Sequence, residues 1–206
     1  AKGGAEKWKS LSSVKLTGRM TVQGAEFPLT IYSKRPNLMR HETTLKDVRI
    51  VQAFDGTIAW AINPMMGETP HALPPAAADM LRTTAEFEGV LIDYQSKGHA
   101  VELVGSETLD GAKVYHLKLT MKNGQVQHYY IDAKTGLESK MTQEVDADGR
   151  KQMLSTEMSD YREESGVTMP HTVKQLVDGK VIGQMTIDKV EFNTVTDDSI
   201  FSMPKK

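Results

Sequence analysis

Apolar and polar residues alternate along most of this chain, and the alternation folds back on itself at glycine turns. Side chains on a strand point to alternate faces, so these stretches predict antiparallel strands with one greasy side. With Gly24-Ala25 taken as a two-residue turn, glycine holds the position that needs positive φ, and Val22 faces Phe27, Met20 faces Leu29 and Gly18 faces Ile31. Asn123-Gly124, read the same way, pairs Met121 with Val126, Leu119 with His128 and Leu117 with Tyr130. Around Asp148-Gly149, Met141, Val145, Leu154 and Met158 share a face. Asp55-Gly56 sets Val51 and Ala53 beside Ile58, Trp60 and Ile62, while Ile50 and Phe54 make the reverse side partly apolar as well. Asp178-Gly179 closes a further hairpin whose apolar residues divide between faces.

Taken in order, the pattern predicts a short helix over 5–11 and a first hairpin over 14–34. Strands follow over 38–45, 49–54 and 57–63, then a loop over 64–75. Residues 76–87 have helical composition behind Pro74-Pro75, with Met80, Leu81, Thr84 and Phe87 at helical spacing. Further strands are expected over 99–104, 113–122, 125–132, 137–147, 150–161, 167–177 and 180–192. The fold class is therefore mainly β (α+β): a single curved antiparallel sheet of about eleven strands forming an incomplete barrel, capped by one or more short helices, because twist and edge protection drive such sheets to curl. One domain over 1–206 is expected, since no repeat or low-complexity linker interrupts the chain. If the inner face is wider than its own side chains can fill, an apolar pocket with a helical lid results.

Composition narrows the chemistry. The net charge is −2, from 25 basic and 27 acidic residues, with no sizeable basic run, which argues against nucleic acid and anionic membrane surfaces as partners. The absence of cysteine removes disulfides, thiolate metal sites and thiol nucleophiles. Methionine is abundant at 12 residues, and its flexible thioether suits a wall that must fit several apolar shapes. Met65-Met66, between a strand and a Pro-rich loop, stands out among them. The six histidines show no HxxxH or HxH spacing, and in the register above His128 opposes Leu119, so His116 and His128 are not cross-strand neighbours. There is no GxSxG elbow and no phosphate-cradling glycine loop. Asp197-Asp198 and Glu163-Glu164 read as solvated turns, because adjacent strand residues point oppositely. No catalytic residue, metal ligand or cofactor is expected.

Two segments carry a family resemblance. Ser33-Lys34-Arg35-Pro36-Asn37-Leu38 and Asp55-Gly56-Thr57-Ile58-Ala59-Trp60-Ala61-Ile62-Asn63-Pro64 resemble the Lys-Arg-Pro-Asn strand end and the DGxxxWxxxP hairpin of the periplasmic lipoprotein carriers, the LolA/LolB-like lipoprotein-sorting proteins. Tyr130-Ile131-Asp132 through Leu137, and Asp197-Asp198-Ser199-Ile200-Phe201, match weaker downstream patterns in the same order. The resemblance implies a half-barrel with an apolar cavity for acyl chains, and gives Arg35 the role of a latch that bonds the lid helix backbone. The expected wall and lid residues are Met20, Leu29, Ile31, Trp60, Ile62, Met65, Met66, Met80, Leu81 and Phe87, with Trp60 open to a second reading as ordinary core. The chain stops at Met203-Pro204-Lys205-Lys206, short of the carriers' extra C-terminal segment, and lacks their full N-terminal helix, so a related lipid binder fits as well as a true carrier.

The function expected is non-enzymatic binding of lipid or lipoprotein acyl chains, for transport or chaperoning toward the outer membrane. The alternatives are an envelope protein-interaction or stress-sensor module and, with less weight, an enzyme that orients its substrate by shape. Expected partners are acyl chains and membrane-bound proteins. The protein is expected to be a monomer in the periplasm, its signal peptide removed ahead of Ala1 or its N-terminus once tethered to a membrane.

Overall fold

The computed structural model describes residues 1–45, 48–64, 67–147 and 149–204. Helix α1 (Ala5–Lys9) precedes strands β1 (Ser13–Val22), β2 (Ala25–Lys34), β3 (Leu38–Leu45), β4 (Val48–Phe54), β5 (Ala59–Asn63) and β6 (Gly67–Ala72). Helix α2 (Pro75–Thr84) follows, then β7 (Ala100–Leu109), β8 (Ala112–Thr120), β9 (Val126–Asp132), β10 (Glu138–Ala147), β11 (Arg150–Glu164), β12 (Val167–Val177) and β13 (Lys180–Phe192). A 3-10 turn over Asp198–Phe201 ends the series. The strands form one sheet in the order β6-β5-β4-β3-β2-β1-β13-β12-β11-β10-β9-β8-β7, with β6 and β7 as edges, so it is not closed into a barrel.

Among the described residues thirteen strands form, against about eleven expected and twelve stretches read as strands. The strand missed is β6, which lies inside the predicted loop 64–75 and pairs Ala72 with Trp60 and His71 with Ala61. Its Pro70 argues against a strand in sequence, yet an edge strand tolerates a proline because one side needs no ladder bond. Helix α2 starts at a proline as anticipated and stops at Thr84, three residues before Phe87.

Two hairpin registers differ from the pattern reading, for different reasons. The first turn is Gln23-Gly24, both at positive φ (50° and 81°), so Met20 pairs with Phe27, Gly18 with Leu29 and Leu16 with Ile31. That is a shift of two residues, which preserves the face. At Asn123-Gly124 the Gly124 amide bonds Met121 O at 2.9 Å and the Met121 amide bonds Gln125 O at 2.8 Å, so the loop has three residues. Leu119 therefore opposes Gln127, Leu117 opposes Tyr129, and Lys118 opposes His128, a shift of one that exchanges the faces of β9.

The chain divides into two compact units: an N-terminal unit of Ala5–Val90 with Thr186–Lys206, and a central unit of Ala1–Gly4 with Leu91–Met185. In the N-terminal unit the ladder puts Leu16, Ile31, His41, Gln52 and Ala61 in one row, flanked on the same face by Gly18, Leu29, Met39 and Phe54. The reverse face carries Arg40, Val51, Ala53, Trp60 and Ile62. Val51, Ala53 and Trp60 form a buried cluster there, packed by Ile62 and Met203.

Candidate functional site

The Leu29 face of the N-terminal unit is apolar but unevenly covered. Leu29 and Ile31 are buried, whereas Leu16, Met20 and Phe27 are half-buried and Gln52 is exposed. Gly18 lies in this face for a steric reason: a Cβ there would sit 2.0 Å from the Thr186 carbonyl oxygen. His41 is a titratable side chain in the middle row. Its Nε2 is buried without a partner among the described residues, and burial pushes the imidazole below its ordinary value, which keeps it neutral. Helix α2 packs against β4 and β5, and Arg82 sits over the Phe54 ring at 5.7 Å, on this same face.

Arg35 ties together the segments at this margin. Its Nε donates to Leu11 O at 2.6 Å and its Nη2 to Trp8 O at 2.7 Å, while Nη1 pairs with Glu88 Oε1 at 2.6 Å. The guanidinium lies over the Phe87 ring at 4.9 Å, and Trp8 meets Phe87 edge-on at 6.5 Å. One planar fork thus fastens the end of α1 to the chain just past α2, using directions that a lysine could not satisfy together.

The C-terminal segment covers the reverse face. Trp60 Nε1 donates to Phe201 O at 2.7 Å, Arg40 Nη1 to Ile200 O at 2.6 Å, and Lys34 Nζ pairs with Asp198. Asp197 caps the 3-10 turn by accepting from the Ser199 amide at 2.8 Å. Arg40 also bonds Glu42, which Arg49 holds at 2.7 Å from the other side. Burial alone would raise the Glu42 carboxyl, but these two guanidinium groups outweigh it and hold the group below the usual carboxylate range. Three segments separated in sequence, around Arg35, Asp55 and Asp198, line one cavity of about 430 Å³ with Asn37, Thr57 and Phe201. Its wall mixes the charged Arg35, Asp55 and Asp198 with the apolar Pro36, Leu38 and Phe201.

The central unit repeats the uneven coverage. Leu119, Met121, Gln127 and Tyr129 are buried, while Leu117, Met141, Leu154 and Met158, on the same face, are half-buried. The polar groups within this face are mutually bonded: Tyr129 Oη donates to Gln127 Oε1 at 2.8 Å, and Gln127 Nε2 donates to Gln143 Oε1 at 2.8 Å. Satisfied amides of this kind do not interrupt an apolar lining with unpaired donors.

A protein from Vibrio parahaemolyticus described as an outer membrane lipoprotein-sorting protein domain superposes with a TM-score of 0.64 at 13% identity, covering 96% of this chain and 94% of that one. A LolA superfamily protein from Nitrosomonas europaea gives 0.63 at 15%, covering 93% and 90%. The fold is that of the LolA-like proteins. A DUF1329 family protein from Desulfovibrio piger shares it equally, at 0.64 and 14% identity over 96% and 92%. No family model matches the sequence, and no curated protein does. At these identities the likeness shows the fold alone.

The structure sorts the expected wall and lid residues into groups. Met20, Leu29 and Ile31 share the face that α2 adjoins; Trp60 and Ile62 point to the other face, where Trp60 is fully buried beneath the C-terminal segment. Met80 is 45% exposed on α2 and Leu81 is buried. Phe87 lies beyond the helix, beneath Arg35. Met65 and Met66 lie outside the described residues. Sequence reasoning placed His116 away from His128, yet their ring nitrogens are 2.8 Å apart, because the loop has one residue more than the two-residue turn assumed. Asp197 and Asp198 are exposed at the C-terminal turn, as read, and there they accept from Ser199 and pair with Lys34; Glu164, also read as solvated, is half-buried and lies 3.2 Å from the buried His171.

Proposed function

We propose that this protein binds acyl chains of lipids or lipoproteins on the apolar sheet faces and carries or chaperones them in the bacterial envelope, without covalent chemistry. The observation that carries this reading is that each unit keeps a largely apolar face only partly covered by its own side chains. Leu16, Met20 and Phe27 serve in one unit and Leu117, Met141, Leu154 and Met158 in the other. A buried methylene contributes about 0.8 kcal/mol, so ten of them supply roughly 8 kcal/mol against ordering costs of several. No charged constellation is needed for such binding, and thioether side chains at Met20, Met141 and Met158 accommodate chains of different length. In this reading α2 is the lid and Arg35 its latch, as the Lys-Arg-Pro-Asn resemblance implies.

The test is displacement of a fluorescent fatty acid from the full chain by unlabelled fatty acids and by a diacylated lipopeptide. Micromolar or tighter displacement is expected, weakened at least tenfold by Ile31→Gln and unaffected by Ile62→Thr on the reverse face. A folded protein that neither binds the probe nor stabilises with it would sink the proposal.

A further inference from the structure

On β8 and β9 a polar cluster lies on the face opposite Leu117 and Leu119. Lys118 opposes His128 and His116 opposes Tyr130, so the four side chains adjoin. His116 Nε2 and His128 Nδ1 are 2.8 Å apart, Glu107 Oε1 lies 3.1 Å from His116 Nδ1, and the Tyr130 ring stacks on His116 with centroids 4.7 Å apart. Each contact has a chemical consequence. A carboxylate at Nδ1 accepts that nitrogen's proton and fixes the tautomer, leaving the lone pair on His116 Nε2. Stacking restrains the ring plane. His128 then donates its Nδ1 proton to His116 Nε2. Lys118 is paired with Glu102 at 2.9 Å, which offsets its charge near the rings.

We propose that His116 and His128 form a two-histidine site for a divalent transition-metal ion, Cu²⁺ in first preference and Ni²⁺ or Zn²⁺ after it, with Glu107 orienting His116. Two imidazole nitrogens in adjacent positions of a square or octahedral ion, at bonds of about 2.0 Å, stand about 2.8 Å apart, whereas the edge of a zinc tetrahedron is about 3.3 Å. The spacing is that of the hydrogen bond between the rings and coincides with adjacent positions on a square or octahedral ion, and the general order of metal affinities favours copper. Binding requires the Nδ1 proton of His128 to move to its own Nε2 through solvent, so both facing nitrogens offer lone pairs with no net proton change. Among the described residues no group of three or more His, Asp or Glu is placed to hold a metal, so water completes the coordination. Glu107 acts on the orientation and basicity of His116 rather than as a ligand.

The experiment is titration of the full chain with Cu²⁺, read by electron paramagnetic resonance and by competition with a chelator. One equivalent should bind with hyperfine coupling from two equatorial nitrogens. His116→Asn and His128→Asn should each weaken binding at least tenfold and remove one nitrogen from the spectrum. Glu107→Gln should weaken it by roughly 10- to 100-fold while keeping both nitrogens, and His71→Asn should change nothing. Unchanged affinity and spectra in both asparagine variants would overturn the site. If either variant fails to fold by circular dichroism, the wild-type spectrum decides, and fewer than two nitrogens overturns the proposal. The outcome is independent of whether acyl chains bind.

Discussion

Arg35 donates to two backbone carbonyls and one carboxylate, and its face covers an aromatic ring. Arg35→Met keeps the stem and removes the fork, so Glu88, whose side chain is only 14% exposed, loses its counter-charge. A loss of about 2–4 kcal/mol in urea unfolding is expected, with a red shift in Trp fluorescence as Trp8 is released. The sequence marked Arg35 through its motif, but not its acceptors, which come from residues 8, 11 and 88. Trp60 behaves in the same way: its single polar atom is satisfied by Phe201 O, 141 positions away. Trp60→Phe should cost about 1–3 kcal/mol by leaving that carbonyl unpaired in a buried place. Faster hydrogen exchange over 198–203 would be its local signature. His41 supplies a pH test. Its folded value is lowered by burial, so the unfolded chain binds the proton more readily. Stability is then full above the ordinary histidine value of about 6.5 and falls as pH drops below it toward the lowered folded value. Wild type should lose more melting temperature between pH 7.5 and 5 than His41→Leu does, and equal losses would remove His41 as the cause.

At the level of elements, alternation located nearly every strand, and the turn chemistry decided which residues met. Gln23-Gly24 and Asp178-Gly179 adopt the paired positive φ of a two-residue hairpin, and the apolar set that Gln23-Gly24 joins keeps its face. Asn123-Gly124 has the same composition as such a turn, yet only its glycine is at positive φ, and the loop takes a third residue. A choice of turn type costs little energy locally, but with a side-chain period of two it reassigns a whole strand, and with it the histidine pair. Gly18 is a different kind of constraint. Gly18→Ala would drive a methyl into the Thr186 carbonyl at 2.0 Å, which only backbone movement relieves. A loss of about 2–4 kcal/mol is expected by denaturant melting; a neutral result would show that the strands can part there. Strand β6 was less legible because its proline breaks the alternation, and the end of α2 because the helical spacing of Leu81, Thr84 and Phe87 runs on past Thr84, where the helix stops.

For the molecule as a whole, the proposed ligand should act as a stabiliser by mass action. Acyl ligand at a hundred times its Kd should raise unfolding free energy by about 2.7 kcal/mol, measurable as a shift in thermal melting that Ile31→Gln reduces. The sequence by itself determined the strand-rich class, the two-sided apolar patterning around Asp55-Gly56 and the place of Arg35 in its motif. All of these depend on residues close together along the chain, where side-chain period and residue chemistry can be read directly. Tertiary structure alone decided which apolar face was sealed and which was left half open. The C-terminal turn, more than a hundred residues from Trp60, covers one face, while α2 adjoins the other. It also decided that His116 meets His128, since a register is fixed by the hydrogen bonds of one loop and not by the pattern of the strands that the loop joins.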